Sequence, residues 1–167
     1  MDERKTLLAR RLRAEMDREA QLFCELGCEV EKLKDSFHAK EWTPGLVIAE
    51  RIDGFSGRIE RAEADREAAF DDLRGELGHC SETAFSAVLP RLPEECRTEL
   101  EESWRGLRTS VVRLKTASGR LRYSAETLAD TLNRMLEGIF PHRKGKIYSR
   151  KGKATAPSGS LLVDTKL

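Results

Sequence analysis

Apolar residues recur at alternating spacings of three and four along most of this 167-residue chain, and this pattern limits the folds it can adopt. Such spacing places apolar side chains on one face of an α-helix, where they form a seam that packs against neighbouring helices. Three separate segments of the sequence carry a seam of this kind. The pattern therefore predicts an all-α fold.

The first two seams lie in predicted helices at residues 5–40 and 44–77. The first seam consists of Leu8, Leu12, Met16, Ala20, Phe23, Leu26, Val30, Leu33 and Phe37. The second consists of Ile48, Ile52, Phe55, Ile59, Ala62, Arg66, Ala69 and Leu73. Arg66 is its one charged member, and Gly54 lowers its helix propensity by about 1 kcal/mol relative to Ala. Gly78 suits the C-cap of this second helix.

The third seam is the longest, and it follows a short predicted helix at residues 81–89. It occupies a predicted helix at 93–139 and consists of Leu100, Trp104, Leu107, Val111, Leu114, Ser118, Leu121, Ala125, Leu128, Leu132, Met135 and Ile139. At about 1.5 Å per residue this helix spans roughly 70 Å, whereas each of the first two spans roughly 50–55 Å. We therefore expect its C-terminal end to extend beyond its partners with apolar residues exposed. In the alternative, the helix bends at Gly119 and folds back on the molecule.

Charge is divided unevenly along the chain. From Pro141 onward there are seven Lys or Arg residues and one acidic residue, Asp164, which gives this segment a charge of +6. Because the whole chain carries +1, residues 1–140 carry −5. The predicted organisation is an elongated antiparallel helical hairpin or bundle of three long helices plus a short connecting helix over residues 1–140. A flexible basic tail follows over residues 141–167.

The sequence contains no pattern that predicts catalysis or a cofactor. The three histidines lie near the ends of predicted elements, and neither a GxxxxGK[ST] loop nor a GxGxxG motif is present. Cys24 and Cys28 are four residues apart and His79 precedes Cys80, which leaves a mixed Cys/His metal site conceivable. This spacing matches no zinc module, however. We therefore expect neither an enzyme nor a metal site.

Composition also limits the compartment and the partners. The sequence has no run of 18 apolar residues, so membrane insertion is not expected. Residues 1–17 lack the apolar core of a signal peptide, which predicts a cytoplasmic protein. Basic residues bracket Tyr148 in a pattern typical of RNA contacts, but the acidic charge of residues 1–140 argues against nucleic acid as a partner.

The order of these segments resembles the FlgN-type flagellar export chaperones. The similarity is carried by "IERAEADREAAFDDLRGELG" in the second helix, "LPRLPEECRTELEESWRGLR" at the start of the third and "IYSRKGK" in the tail. Arg66 stands where that family usually has a basic residue. Tyr148 and Gly152 match a Tyr-xxx-Gly pattern of the family, and the trailing "LLVDT" resembles its apolar C-terminal end.

This resemblance implies a cytoplasmic chaperone that works without nucleotide or metal. Such a protein binds the disordered C-terminal segment of hook–filament junction proteins (the hook-associated proteins), prevents their premature assembly and brings them to the export gate. Cargo recognition is implied for the C-terminal part of the third helix, where the seam residues are Leu121, Leu128, Leu132, Met135 and Ile139. The resemblance also implies that Tyr148 docks at the export-gate component.

Two other classes of function are open to a chain with this pattern. A coiled-coil structural adaptor or self-assembling scaffold would use the same exposed seam to form a homodimer or a larger assembly. A nucleic-acid-binding module would use the basic tail, and its binding would weaken steeply with salt. The tail itself is either a lid over the exposed seam or a second docking element.

Overall fold

The computed structural model describes residues 2–80 and 82–139 and, as backbone, residues 147–148 and 154–155. Its helices are α1 (Asp2–Ala39), α2 (Trp42–Asp53), α3 (Ser56–Glu76), α4 (Phe85–Val88) and α5 (Glu94–Ile139), with a 3₁₀ turn at Leu89–Arg91. Two short strands, β1 (Ile147–Tyr148) and β2 (Ala154–Thr155), pair in antiparallel fashion. The predicted all-α helical bundle is confirmed.

Backbone contacts divide the chain into two compact units, Met1–Ala125 and Glu126–Leu167. The first unit contains α1 to α4 and most of α5, and the second contains the last turns of α5 and the two strands. The predicted flexible tail of residues 141–167 lies outside the described residues, apart from the backbone of β1 and β2. Its flexibility therefore stays a prediction.

In the first unit, α1 packs antiparallel against α2 and α3, which together form the second arm of a hairpin. Ion pairs along the interface mark this direction. Arg4, at the start of α1, lies 3.2 Å from Glu76 at the end of α3. Glu25, further along α1, lies 3.2 Å from Arg58 at the start of α3.

The first-unit part of α5 lies against this hairpin and runs parallel to α1. Near the start of both helices, Arg13 and Glu99 form an ion pair at 2.8 Å. At the other end, the hydroxyl of Ser124 lies 3.3 Å from Nε2 of His38, within hydrogen-bond distance. The direction of the chain in these three arms is therefore up, down and up.

The main core of the first unit lies where α1, α3 and α5 meet beneath α4 and the 3₁₀ turn. The most deeply buried large side chains there are Leu12, Met16, Leu73, Val88 and Leu100. Aromatic rings extend this core, with centroids 6.0 Å apart for Phe70 and Phe85 and 5.1 Å apart for Phe85 and Trp104. A smaller cluster along the hairpin contains Leu22, Phe55 and Ala62.

Both predicted seams of the hairpin are confirmed, since every one of their members is buried or half-buried. The charged member, Arg66, is accommodated by a partner on α1. Its Nε donates a hydrogen bond of 2.6 Å to Oε2 of Glu19, whose side chain is only 6 % exposed. A charge at a seam position is therefore neutralised by a charge on the facing helix.

The structure divides the predicted helix of residues 44–77 into α2 and α3. The N–H of Phe55 donates to the carbonyl of Ile52 at 3.0 Å, three residues back instead of four. Gly54, which disfavours helix formation, sits at this tighter turn. Phe55 is buried in the smaller core cluster, so the turn interrupts the α-helical bonding without removing the side chain from the interface. The predicted helix of residues 81–89 is likewise shorter, comprising α4 and the 3₁₀ turn.

The predicted seam of α5 is wrong at two positions in the first unit. The buried residues of this helix are Cys96, Leu100, Ser103, Leu107, Ser110 and Ala117. Val111 is 41 % exposed, and Ser118 is exposed as well. Ser110 tolerates burial because its hydroxyl donates to the carbonyl of Leu107 at 2.7 Å. Serine and alanine, which a pattern of large apolar residues overlooks, therefore occupy half of the buried positions.

Both arms of the hairpin end in the same capping geometry. After α3, Gly78 adopts a φ of +72°, and the N–H of His79 donates to a carbonyl five residues earlier at 3.0 Å. After α1, Lys40 adopts a φ of +59°, and the N–H of Glu41 donates to a carbonyl five residues earlier at 2.9 Å. These are Schellman motifs. Gly78 confirms the predicted C-cap, whereas Lys40 holds a left-handed conformation that glycine adopts at lower cost.

Candidate binding surface at the end of α5

The last turns of α5 present apolar residues on one face. Leu128, Leu132, Met135 and Ile139 follow one another at spacings of four, three and four, which helical geometry brings to a single side. The helix is continuous from Glu94 to Ile139. The alternative in which it folds back at Gly119 is therefore excluded.

Three of these side chains are open to solvent. Leu132 is 48 % exposed, Met135 58 % and Ile139 67 %, while Leu128 is half-buried. Single exposed apolar residues are common on protein surfaces, but several large ones on one face form a patch of the kind that binds partners. Leu136, also half-buried, extends this patch. We call Leu128, Leu132, Met135, Leu136 and Ile139 the C-terminal apolar face.

Leu136 was missed by the sequence reasoning because a strict alternation of three and four passes over it. The wider helical pattern, with apolar residues at i, i+3, i+4 and i+7, includes Leu132, Met135, Leu136 and Ile139. An apolar stripe of that width covers more of the helix surface than a strict coiled-coil seam does. The face is therefore broader than the predicted seam.

Leu121, the remaining predicted cargo residue, belongs to the first unit and is half-buried. Nearby contacts hold this part of α5 against α1, since Arg120 lies 3.5 Å from Glu31 and Ser124 contacts His38. We therefore leave Leu121 out of the C-terminal apolar face. Its part in cargo binding stays a prediction.

Tyr148, the residue predicted to dock at an export gate, lies in β1. Its backbone pairs with Ala154 in β2, and the neighbouring Ile147 pairs with Thr155. The side chain of Tyr148 lies outside the described residues. Its docking role accordingly stays a prediction.

A second exposed apolar patch, which sequence reasoning did not find, lies on α2. Trp42 is 49 % exposed, Leu46 68 % and Val47 50 %. The ring of Trp42 lies 6.3 Å from that of Phe37. The sequence did contain a signal for this patch. The stretch "WTPGLVIA" holds more apolar residues than a single buried helix face requires. Of its large apolar side chains, only that of Ile48 is buried.

The cysteines do not converge on a common site. Cys24, Cys28 and Cys80 are exposed and Cys96 is buried, all as free thiols. Within residues 2–80 and 82–139 no group of three or more His, Cys, Asp or Glu side chains is placed to hold a metal ion. The hydroxyl of Thr83, 3.5 Å from Sγ of Cys80, lowers the pKa of that thiol.

Comparison with known proteins identifies no family for this chain. No family model matches the sequence, and no curated protein and no solved structure matches it significantly. Among the helices of the described residues, none has both the length and the apolar character needed to cross a membrane. The function is therefore argued from the C-terminal apolar face itself.

Proposed function

We propose that this chain is a cytoplasmic export chaperone of the flagellar type. In this proposal the C-terminal apolar face holds the disordered C-terminal segment of a hook–filament junction protein, prevents its premature assembly and brings it to the export gate. The observation that carries the proposal is the exposure of Leu132, Met135 and Ile139 on one face of a continuous helix. The resemblance of the sequence to the FlgN-type chaperones supplies the class of cargo.

The spacing of the face favours a helical cargo segment. Exposed side chains one helical turn apart accept a partner that presents its own apolar residues at i, i+3, i+4 and i+7. A segment that is disordered when free and becomes helical when bound satisfies this requirement. Binding on this face would also cover the apolar residues that the cargo uses in assembly, which explains how a carrier prevents premature polymerisation.

The exposed area limits the affinity. Burying a whole Leu, Ile or Met side chain contributes about 1.5–3 kcal/mol, so three side chains that are already half covered contribute roughly 3–5 kcal/mol together. A micromolar complex requires about 8 kcal/mol after the costs of association. The exposed residues alone therefore fall short. The proposal requires further contacts, which we assign to Leu128 and Leu136.

The basic segment after Pro141 gives the proposal its second docking element. Residues 141–153 contain six Lys or Arg and no acidic residue, with Tyr148 among them. We propose that Tyr148 and the adjacent cations contact the export-gate component while the C-terminal apolar face holds cargo. Separate elements for cargo and gate allow both to be bound at once.

The proposal is tested by calorimetric titration of the full chain with purified C-terminal segments of the hook-associated proteins from the same organism. The variant Leu132→Ser/Met135→Ser/Ile139→Ser should weaken binding by at least tenfold, because about half of the apolar contact is lost. The matched control is Leu7→Ser/Leu46→Ser/Val47→Ser, whose side chains are equally exposed but lie in the first unit. Equal affinity of the two variants would contradict the proposal.

A coiled-coil scaffold is the second candidate, because the 4-3-4 spacing of the same face also suits pairing with a second copy of the chain. Sedimentation at micromolar concentration separates the two functions. A stable dimer that the triple Ser substitution dissociates, combined with no binding of any hook-associated segment, would favour the scaffold.

A further inference from the structure

We propose that the outward face of α5 between Arg105 and Tyr123 binds the outward face of α3 on a second copy of this chain. Both faces lie in the first unit, on residues that the structure describes. The contact is distinct from pairing through the C-terminal apolar face, because it uses no residue beyond Tyr123. It holds or fails independently of the proposed chaperone function.

The surface of α5 from Ser103 to Ala125 is strongly basic. This stretch contains no acidic residue and six cationic ones, all of them exposed: Arg105, Arg108, Arg113, Lys115, Arg120 and Arg122. Residues 1–140 carry −5 with these six charges included, so the rest of that segment carries −11. The outward face of α5 is therefore a local concentration of positive charge on an otherwise acidic part of the chain.

Four of these six cations have no partner among the described residues. Within residues 2–80 and 82–139, no ion pair or hydrogen bond involves the side chains of Arg105, Arg108, Arg113 and Lys115. The cations of α1 that border α3 differ, since Arg4, Arg11 and Arg18 each lie within 3.5 Å of a carboxylate on α3. The charge on the outward face of α5 is therefore left for a partner.

An uncharged line of residues runs along the centre of this basic face. Its members are Thr109, Val112, Thr116 and Gly119, at spacings of three, four and three. The hydroxyls of Thr109 and Thr116 donate to carbonyls of their own helix at 2.8 and 2.9 Å, so neither needs a polar partner. A seam of this spacing with charged flanks is the pattern by which one helix pairs with another. The partner that fits it is a helix with acidic flanks.

The outward face of α3 has this complementary charge. Glu60, Glu63 and Glu67 are exposed there, around the exposed Ala64 and Ala68. Neither Glu60 nor Glu63 forms an ion pair within residues 2–80 and 82–139. We call these five residues the acidic face of α3.

The nearby cations of α3 leave this acidic face largely uncompensated. Arg66 is turned inward, where it binds Glu19 and is only 18 % exposed. Its contact with Glu67, at 3.9 Å, is longer than a hydrogen bond. Arg61 is exposed, but its Nε donates to the carbonyl of Gly57 on its own helix at 2.9 Å. The negative charge of the acidic face is therefore open to a second copy.

The two faces also match in size. Residues 57–75 of α3 and residues 105–123 of α5 each extend about 27 Å, at about 1.5 Å per residue. Small side chains at the centre of both faces allow the helix axes to approach closely. The whole chain carries only +1, so two copies repel each other little. A nucleic acid also offers negative charge, but it would be repelled by the −11 on the rest of residues 1–140.

The contact is weak and sensitive to salt. Exposed ion pairs each contribute little to binding, and dissolved ions screen them further. Each copy carries both faces, so the contact either closes a two-fold pair or repeats from copy to copy. The protein is therefore monomeric when dilute and associates where it is locally concentrated.

Sedimentation velocity of the full chain tests the proposal over a range of protein concentrations, at about 50 mM and about 500 mM salt. We expect association that depends on protein concentration, with a dissociation constant at least tenfold higher in the higher salt. A chain that stays monomeric at about 1 mM protein in the lower salt would overturn the proposal.

Charge reversal then identifies the two faces. The variants Arg108→Glu/Lys115→Glu and Glu60→Lys/Glu67→Lys should each be monomeric alone, because each opposes like charges across the contact. Their equimolar mixture should associate again, since the two reversed faces complement each other, as do the two unchanged ones. Circular dichroism at 222 nm checks that each variant is folded. A mixture that stays monomeric would refute the pairing of these faces.

The matched control is Arg10→Glu/Arg91→Glu, which changes the net charge as much as reversal of the basic face does, at exposed positions outside both faces. It should associate as the parent does. Association that only the triple Ser variant of the C-terminal apolar face abolishes would overturn the proposal and favour the scaffold. A monomeric parent that binds a duplex oligonucleotide, where the variant with the reversed basic face does not, would assign that face to nucleic acid instead.

Discussion

Removing one partner of the Glu19–Arg66 pair should destabilise the bundle more than removing any exposed charge. The two side chains bond at 2.6 Å between α1 and α3, where Glu19 is 6 % and Arg66 18 % exposed. The substitution Arg66→Met keeps the apolar stem but leaves a buried carboxylate without a counter-charge. For fully buried pairs this costs about 3–5 kcal/mol. Because Arg66 reaches solvent in part, we expect a loss of about 2–4 kcal/mol.

The double variant Glu19→Leu/Arg66→Met should recover most of that stability. Replacing both charges with apolar side chains removes the desolvation cost of each and extends the seam of the hairpin, so its stability should lie within about 1 kcal/mol of the parent. The coupling energy from the cycle, which also includes the stability lost by Glu19→Leu alone, should then be at least about 2 kcal/mol. Urea denaturation followed by circular dichroism at 222 nm measures each free energy of unfolding.

The control for this cycle is the pair Arg11–Asp72, which also bridges α1 and α3. Its bond is 2.7 Å long, but its side chains are 52 % and 53 % exposed. Exposed pairs contribute about 0.2–1 kcal/mol, so the same cycle at these positions should give little coupling. If Arg66→Met lowers the free energy of unfolding no more than Arg11→Met does, burial does not make the Glu19–Arg66 pair more important for stability, and the reasoning is refuted.

Three further predictions concern other parts of the first unit. Lys40→Gly should raise the free energy of unfolding by about 0.5–1 kcal/mol in urea titrations, because the left-handed C-cap strains a residue with a Cβ. Cys80 should react first with iodoacetamide as pH rises, and Thr83→Val should slow that reaction by removing the hydroxyl that lowers its pKa. The hydrogen bond from Lys32 lowers the pKa of Glu29 below its ordinary 4.5. Its stabilising contribution is therefore present above that value and lost as pH falls below it, so Glu29→Gln should lose less stability between pH 5 and pH 3.

The hairpin was predictable because its two seams consist of large apolar residues in an unbroken pattern. Even Arg66 fits, since a facing Glu19 neutralises it. The first-unit part of α5 was harder, because Ser103, Ser110 and Ala117 are buried where Val111 is exposed. Apolarity alone predicts that valine is buried in preference to serine. The hydrogen bond that the Ser110 hydroxyl donates to a carbonyl of its own helix is seen only in the structure.

The candidate site was predictable in part. The run of Leu128, Leu132, Met135 and Ile139 follows from spacing, and the exposure of the last three was expected from the greater predicted length of the third helix. The half-buried Leu136 did not follow, because a strict alternation of three and four passes over it. The exposed residues of α2 did not follow, because burial there depends on which neighbouring helix covers each turn. The division of the second predicted helix at Gly54 was not predicted either. The φ and ψ of Gly54 are helical, and only the spacing of the backbone hydrogen bonds changes there.

Hydrogen exchange of the complex is the most direct test of cargo binding by the C-terminal apolar face. The full chain is compared with and without a saturating hook-associated C-terminal segment, and the amides of residues 128–139 are followed by mass spectrometry. The account predicts slower exchange across these residues and no change over residues 42–53, which carry the other exposed apolar patch. Protection confined to residues 42–53, or absent from residues 128–139, would contradict it.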